Sequence, residues 1–311
     1  MNVYLVRTRL HCLISMEIQR QLNRNRPYIA IFLYQKSRDE DDSAVYETYE
    51  SLRSGAVKSY DIVGQDGIFS NTLVLVKVLR RIKRHHGHAF LAVVDSLPVA
   101  IALRLTRGPG LQTFDDGSIN INPTSRYFSA EALPGRGWRR WIARLLFPQG
   151  HAKWMRARST HHFTVFPGRE NIVPASKVEP LEIDWEKLLH RDDLGPLKGD
   201  IATVVLGTPH EDYPDPDASR AAARRLAGEA DLYIRHPREG NWLVSPATCS
   251  LKSPAEAALR YLALRQPVRV FHFDSTTGYV LRDHPGLEMI NVVEPDTRQI
   301  VPEIRCNGSE R

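Results

Sequence analysis

The chain opens with apolar runs of strand length that alternate with segments of helical spacing. The runs are Val3 to Val6, Tyr28 to Tyr34 and His88 to Asp95. Continuous apolar runs are typical of parallel strands that are buried on both faces. The segments Leu10 to Leu22 and Leu73 to Ile82 instead repeat apolar residues with the period of a helix. This alternation predicts a doubly wound α/β sheet in the first half of the chain.

The same alternation starts again after a stretch that contains several prolines. Between Asn171 and Lys198 the periodicity weakens and Pro174, Pro180 and Pro196 accumulate. Beyond this stretch, strands are predicted over 201–206, 231–235, 268–273 and around 289–292, and helices over 218–227 and about 254–264. We therefore predict an α/β protein with two Rossmann-like domains, residues 1–198 and 199–311, that face a central cleft.

Composition excludes several classes of protein. The chain of 311 residues is 42% hydrophobic and 25% charged, as in ordinary soluble domains, and it has no apolar window near the ~18 residues of a membrane span. Arg7 and Arg9 fall where a secretion signal would have its apolar core, and three cysteines without CxxC spacing indicate neither disulfides nor zinc. These features predict a cytoplasmic protein. The formal charge of +6 favours an acidic partner.

Basic and aromatic residues concentrate in one segment, Gly135 to Arg158. It holds seven Lys or Arg residues and three tryptophans and has no acidic residue. Interleaved tryptophan and arginine is typical of a membrane surface, where the indole rings lie at the interface and the cations meet phosphate. The same composition is compatible with nucleic acid, and a solvated helix would explain the arginines but not the indoles.

Polar residues follow each predicted strand of the second half. Gly207, Thr208, His210, Glu211 and Asp212 follow the first of these strands, and Ser275 to Gly278 follow the strand that ends at Phe273. His236 ends the strand between them, because Pro237 cannot donate to a ladder. Arginines at 235 and 238 would attract phosphate, and an imidazole can give it a proton. Strand ends of this composition predict a site for a phosphorylated ligand, although each taken alone is also compatible with an ordinary turn.

Acidic pairs offer further candidates. Asp115 and Asp116 precede Gly117, which is compatible with a turn or with a carboxylate that accepts a proton from a substrate hydroxyl. Asp215 and Asp217 resemble paired aspartates that hold a metal-bound sugar nucleotide, but they lie in a proline-rich loop. The histidines at 85, 86 and 88 are typical of an exposed helix end. We find no GxGxxG, P-loop, HExxH or nucleophile-elbow motif, so we predict neither a cofactor nor a metal site.

The motifs together resemble the bacterial lipooligosaccharide sialyltransferases, glycosyltransferase family 52. The segments that carry the resemblance occur in the family's order: VYLVRTRLHCLISMEI, FDDG, VVLGTP, IRHPRE, KSPAEAALRYLAL and FHFDSTTGYVL. They extend over most of the chain. Arg9 stands where the family commonly has a proline, and the middle segment is unusually rich in arginine and tryptophan.

The resemblance implies a GT-B fold and an inverting, metal-independent transfer of sialic acid, of alpha-2,3 type, from CMP-sialic acid to a galactose-ended glycan or glycolipid. It implies that His236 stabilises or protonates the departing phosphate. Asp212, with Asp215 second, would be the base, and Asp115 or Asp116 is the alternative. The donor-binding residues that it implies are Gly207, Pro237, Arg238, Glu256, Ser275, Thr276 and Thr277.

The expected partners follow from this function and from the basic segment. They are a nucleotide-sugar donor, a glycan acceptor, the anionic inner membrane through a peripheral contact, and a second copy of the chain in a homodimer. Nucleic acid is not among them. Two alternatives stay open: a related glycosyltransferase that uses a UDP-sugar, and a non-catalytic basic module that binds anionic lipid or nucleic acid.

Overall fold

The computed structural model describes residues 1–34, 43–63, 68–94, 96–107, 110–123, 125, 127–128, 138–239, 242–243, 247–294, 297–301 and 304. For 34, 43, 44, 63, 68–70, 138–140 and 142 it describes the backbone alone. The described residues up to Ile183 form one compact unit, and those from Asp184 onward form a second. The acidic run Asp39 to Asp42 lies outside the described residues, and the predicted cleft between the domains stays a prediction.

The first unit is a parallel sheet of seven strands in the order β3-β2-β1-β4-β5-β6-β7. The strands are β1 (Asn2–Val6), β2 (Tyr28–Tyr34), β3 (Lys58–Val63), β4 (His88–Leu91), β5 (Gly110–Phe114), β6 (Ser159–Thr164) and β7 (Val178–Pro180). The helices are α1 (Arg9–Leu22), α2 (Ser43–Ser54), α3 (Ile68–Arg84), α4 (Leu97–Leu105), α5 (Trp138–Leu146) and α6 (His151–Arg158). The chain winds outward from β1 in both directions, as in a Rossmann fold.

The second unit is a smaller parallel sheet in the order β10-β9-β8-β11-β12. Its strands are β8 (Thr203–Leu206), β9 (Leu232–Ile234), β10 (Thr248–Cys249), β11 (Val268–His272) and β12 (Leu287–Asn291). Its helices are α7 (Pro216–Glu229), α8 (Ala255–Ala263) and α9 (Thr276–Val280). The two units therefore repeat one architecture.

The apolar strands form the cores that their sequences predict. Val3, Leu5, Ile29 and Ile31 are almost completely buried in the first unit. In the second unit Val204 and Val270, on the paired strands β8 and β11, are both fully buried. Since helices cover both faces of a doubly wound sheet, the side chains on both faces of these strands are buried and apolar.

The division between the units falls earlier than the proline-containing stretch suggested, at 183/184 and not at 198/199. Leu197 is fully buried in a core cluster of the second unit. The carboxylate of Asp193, also buried, accepts hydrogen bonds from the backbone N–H groups of Lys252 (3.0 Å) and Ser253 (2.6 Å). Residues 184–198 lack periodicity because short 3-10 turns, at Trp185–Leu188 and Arg191–Leu194, bring them onto the second unit.

Within the part of the chain that the structure describes, no helix is both long and apolar enough to cross a membrane.

Candidate active site

The topology of the second unit indicates where a ligand binds. From β8 the chain moves to β9 and β10 on one side and then returns to β11 and β12 on the other. A reversal of this kind leaves a crevice at the carboxyl ends of the two central strands, and ligands of open α/β sheets bind there. The loops that flank this position begin at Gly207, after β8, and at Phe273, after β11. His236 follows the adjacent strand β9 and is close to the same edge.

His236 is half-buried and has a defined tautomer. Its Nδ1 accepts the backbone N–H of Arg238 at 3.0 Å. Burial, together with the neighbours Arg238 and His210, lowers the pKa of His236 to about 3. The ring is therefore neutral near pH 7 and carries its proton on Nε2, because Nδ1 acts as an acceptor. Such a ring can donate a hydrogen bond to an anionic ligand.

Asp212 lies in the 3-10 turn that follows β8, and it contacts a second predicted site residue. Its carboxylate accepts a hydrogen bond from the guanidinium of Arg238 at 2.8 Å, and 44% and 49% of the two side chains are exposed. Arg298 donates to the backbone carbonyl of Asp212 at 3.1 Å. The structure thus brings together the candidate base and the arginine predicted to meet phosphate. Pro237, between His236 and Arg238, is exposed.

Asp215, the second choice for the base, has a structural role. It precedes α7 and its carboxylate accepts the N–H groups of Asp217 (3.1 Å) and Ala218 (2.9 Å). These bonds cap the first turn of the helix, where four N–H groups lack partners within the helix. Asp217 pairs with Arg220 on the helix surface, so the two aspartates do not converge on a common point.

Thr277, after β11, contacts a second predicted donor-binding residue, Glu256 of α8. Thr277 donates a hydrogen bond to Glu256, in the first turn of α8, at 2.9 Å, and both side chains are buried. Ser275 caps α9 by accepting the N–H of Gly278 at 3.1 Å, whereas Thr276 is half-buried beside it. A β-carbon on Gly278 would lie only 2.4 Å from the His272 ring, so glycine is required there.

Asp274, between β11 and Ser275, has a left-handed backbone with a φ of 49°. Aspartate tolerates this conformation better than most residues. The Asn291 side chain accepts its N–H at 2.9 Å, and Tyr279 donates to its carboxylate at 2.5 Å. Burial raises the pKa of Asp274, against the opposing effects of Tyr279 and Arg298. A strained, buried acid next to the predicted phosphate loop is a feature that often accompanies a functional site.

In the first unit the two adjacent aspartates have different surroundings. Asp115 is fully buried, and its carboxylate is within hydrogen-bond distance of His162 (2.9 Å), Thr164 (2.7 Å), the N–H of Val165 (2.7 Å) and Asn171 (3.4 Å). These bonds tie the end of β5 to β6 and the segment after it. The geometry of Asp115 is that of a structural anchor.

Asp116 is 17% exposed and lies over a buried histidine. The carboxylate is 2.7 Å from His11 Nε2 and accepts the hydroxyl of Tyr127 at 2.5 Å. His11 Nδ1 accepts the N–H of Arg7 at 3.2 Å, so Nε2 is the atom that donates. Burial acts to raise the pKa of Asp116, but His11, Tyr127 and Arg7 outweigh it and lower that pKa. Asp116 is thus the aspartate of this pair that retains contact with solvent.

Sequence reasoning missed several residues that shape these sites. Glu239 and Asp274 are buried beside the predicted residues of the second unit, and His11 and Tyr127 support Asp116. No spacing in the sequence links Glu239 to Gly207 or His11 to Asp116, since these contacts arise between different strand ends. Among the described residues, no group of three or more His, Cys, Asp or Glu side chains is arranged to hold a metal ion.

The described part of the basic segment presents an apolar and cationic surface. Trp141 and Leu145, one turn apart on α5, are 66% and 63% exposed, and Arg144 beside them is exposed. Ala143 and Phe147 form the buried side of the same segment. On that buried side, Arg104 lies over the Phe147 ring at 5.6 Å. The side chains of Arg139 and Arg140 lie outside the described residues.

Two relatives with curated functions share recognisable sequence with the chain. The CMP-N-acetylneuraminate:beta-galactoside alpha-2,3-sialyltransferase of Pasteurella multocida (strain Pm70) is 30% identical over 158 residues, which are 50% of this chain and 48% of that protein. The N-acetyllactosaminide alpha-2,3-sialyltransferase of Neisseria meningitidis is 23% identical over 86% of this chain and 68% of that protein. The match to the Pasteurella relative thus spans less than half of that protein's length.

Solved structures share the fold. The chain matches UDP-GlcNAc 2-epimerase from Neisseria meningitidis with a TM-score of 0.51 and 9% identity, over 94% of this chain and 83% of that one. A putative UDP-N-acetylglucosamine 2-epimerase from Listeria monocytogenes gives a TM-score of 0.53 and 10% identity, over 94% and 79%. These neighbours confirm the GT-B type fold with its two Rossmann-like domains.

The family that the motifs indicated is confirmed over most of the chain. The matched region begins in β2 and ends after β12, and it includes Asp116, Asp212, His236 and Glu256. Because residues 29–295 match that family, the protein belongs to glycosyltransferase family 52.

Proposed function

We propose that the protein transfers sialic acid from CMP-sialic acid to a galactose-ended oligosaccharide or glycolipid, with alpha-2,3 linkage and inversion at the transferred sugar. The observation that carries the proposal is the convergence of Asp212, His236 and Arg238 at the carboxyl ends of β8 and β9. The names of the Pasteurella and Neisseria relatives support the choice of donor and linkage.

His236 stabilises the leaving group in this proposal. As CMP departs, negative charge grows on its phosphate, and the Nε2–H of a neutral imidazole donates a hydrogen bond to it. Full protonation is not required, since a phosphate monoester has its second pKa near 6 and leaves readily as an anion. The bond from the Arg238 N–H to Nδ1 keeps the proton on Nε2, and it orients the ring.

Arg238 and Asp212 exchange partners when the donor binds. An exposed ion pair of this kind contributes about 0 to 1 kcal/mol, so a phosphate can draw Arg238 away at little cost. The carboxylate of Asp212 is then available to take the proton of the acceptor hydroxyl. Binding of the donor would in this way precede activation of the base.

Glu256 and Thr277 form the nucleotide end of the site. Their hydrogen bond fixes the start of α8 against the loop after β11. The Glu256 carboxylate would also accept hydroxyl hydrogens of the ribose. Ser275 and Thr276, with the backbone N–H groups beside them, would meet the phosphate, while Gly207 lets the Glu239 carboxylate lie directly beneath the His236 backbone.

The test of this function is a transfer assay with CMP-sialic acid and a lactose-type acceptor in the presence of a metal chelator. We expect sialylated product, with a resonance pattern in NMR that shows an alpha-2,3 linkage and inversion, because the residues above supply charge stabilisation and a base without a metal. Product formation that requires an added divalent cation would contradict metal independence. Transfer from a UDP-sugar alone would contradict the choice of donor.

We further propose that the surface formed by Trp141, Arg144 and Leu145 contacts the anionic inner membrane from the cytoplasmic side. Exposed apolar side chains are costly in water when they cluster, and cations beside them are attracted to anionic headgroups by about 1 kcal/mol each. A lipid-linked acceptor at the same membrane would then be within reach of the enzyme. Homodimer formation stays a prediction.

Flotation with phospholipid vesicles checks this surface. We expect the protein to float with vesicles that contain phosphatidylglycerol and not with vesicles of phosphatidylcholine. Arg144→Glu combined with Trp141→Ser should weaken the partition roughly tenfold, since it reverses a charge and removes an interfacial ring. Arg282→Glu is the matched control, because Arg282 is an exposed cation of the second unit. Equal flotation of both variants would contradict the assignment.

A further inference from the structure

Glu239, three residues after His236, is a buried carboxylate at the centre of the strand-end loops. Only 3% of the residue is exposed. Its Oε1 accepts the hydroxyl of Tyr233 at 2.5 Å and the indole N–H of Trp242 at 2.8 Å. Its Oε2 accepts the backbone N–H of His236 at 3.2 Å. Buried carboxylates are rare unless donors surround them, and here both oxygens have donors.

The same carboxylate also contacts the loop that carries Asp212. His210 Nε2 lies 3.5 Å from Glu239 Oε1, and both side chains are buried. The other ring nitrogen of His210 is 2.7 Å from the Ser219 hydroxyl, which fixes the ring against α7. His210 and Asp212 belong to one 3-10 turn. Glu239 therefore lies between the turn after β9, which it holds by a hydrogen bond, and the turn after β8, which it touches at His210 without a hydrogen bond.

Gly207 shows that the site is shaped around the carboxylate. A β-carbon at this position would lie 1.9 Å from Glu239 Oε2 and 2.9 Å from the His236 backbone nitrogen. Any side chain would displace the oxygen that holds His236. The Glu239 carboxylate thus occupies the space that a side chain at position 207 would need.

We propose that Glu239 is a positioning residue that holds His236 and the Asp212 turn in the geometry required for transfer; this inference rests on the proposed function. Its role requires a carboxylate. In every hydrogen bond to the Glu239 side chain the partner is the donor: a hydroxyl, an indole N–H or a backbone N–H. A glutamine amide at this position would point its own NH₂ group at one of these donors in either orientation. Glutamine has the size of glutamate, but only one of its two terminal atoms can accept hydrogen bonds.

The test is Glu239→Gln in the full-length chain. A displacement of about 1 Å at a reacting group can cost up to 100-fold in rate, so we expect kcat to fall at least tenfold. The affinity for CMP, measured by calorimetry, should stay within threefold of wild type, since Glu239 is buried and is not proposed to contact the nucleotide. A variant with wild-type kcat would overturn the proposal, as would a parallel loss of kcat and CMP binding.

Asp193→Asn is the matched control. Asp193 is also buried, and its carboxylate also acts only as an acceptor. The donors are the N–H groups of Lys252 and Ser253 and the Ser253 hydroxyl. The same chemical change should lower stability there and leave kcat within threefold. If Asp193→Asn lowers kcat as much as Glu239→Gln does, the kinetic effect reflects general destabilisation and the proposal fails.

Two measurements are independent of turnover, and the first of them uses the wild-type protein alone. Hydrogen exchange in the wild-type protein should show the His236 amide protected at least tenfold relative to an unstructured peptide. An unprotected amide would overturn the proposal. The imidazole resonances of His236 should also shift between wild type and Glu239→Gln without any donor present, and unchanged resonances would overturn it. If no donor is turned over, the proposed function fails, while these signals still decide the role of Glu239.

Discussion

Replacing His236 by alanine is expected to lower turnover by about 10²- to 10³-fold, the usual effect of removing one donor that meets growing negative charge. The affinity for CMP should change little, because the hydrogen bond strengthens chiefly as the phosphate departs. Steady-state kinetics with CMP-sialic acid, together with calorimetric titration of CMP, separates the two effects. A variant that binds CMP normally and also turns over normally would contradict the role of His236.

His236→Gln distinguishes hydrogen bonding from proton transfer. The glutamine NH₂ group can reach close to the position of the imidazole Nε2, so it can donate a hydrogen bond but cannot act as an acid. Since the pKa of His236 is lowered to about 3, we expect the neutral ring to act as a donor and glutamine to restore part of the rate. If glutamine is as inactive as alanine, His236 acts by transferring a proton.

Replacing Asp212 by asparagine is the second change with a large expected effect, a loss of about 10²- to 10⁴-fold in kcat. Asparagine keeps the size of the side chain and removes its ability to take a proton. It also removes the ion pair with Arg238, so the arginine is available to the donor phosphate and CMP should bind as tightly as to wild type or more tightly. Kinetics and CMP titration measure both expectations on one preparation.

Two further variants serve as controls for the base. Asp215→Asn should leave kcat close to wild type, because asparagine caps a helix about as well as aspartate. Asp116→Asn tests the alternative base in the first unit, where His11 and Tyr127 hold the carboxylate. A loss from Asp116→Asn that exceeds the loss from Asp212→Asn would assign the base to Asp116.

Much of the fold followed from apolar runs alone. The strand predicted at Tyr28 to Tyr34 is β2 with the same ends, and the helix predicted from Leu10 begins one residue earlier, where Thr8 caps it. The run from His88 predicted a longer strand than β4, which ends at Leu91. Composition cannot show where a strand leaves its sheet, because the residues beyond Leu91 are buried as well.

The site was predictable only in part, since sequence places residues at strand ends but does not orient them. The polar residues after β8, β9 and β11 do lie at one edge, as parallel strands require. That Asp115 points into the interior while its neighbour Asp116 reaches solvent depends on His162 and His11, which are distant in sequence. The pairing of Asp212 with Arg238 likewise depends on contacts between two loops.

Calorimetric titration of the purified protein with CMP and, separately, with UDP, in the presence of a metal chelator, tests the donor assignment most directly. We expect CMP to bind with an affinity in the micromolar range and UDP to show no binding, because the second unit is proposed to hold a CMP-linked sugar without a metal. Binding of UDP alone would keep the fold and contradict CMP-sialic acid as the donor. Binding of neither nucleotide would contradict the proposed enzyme and favour the basic binding module.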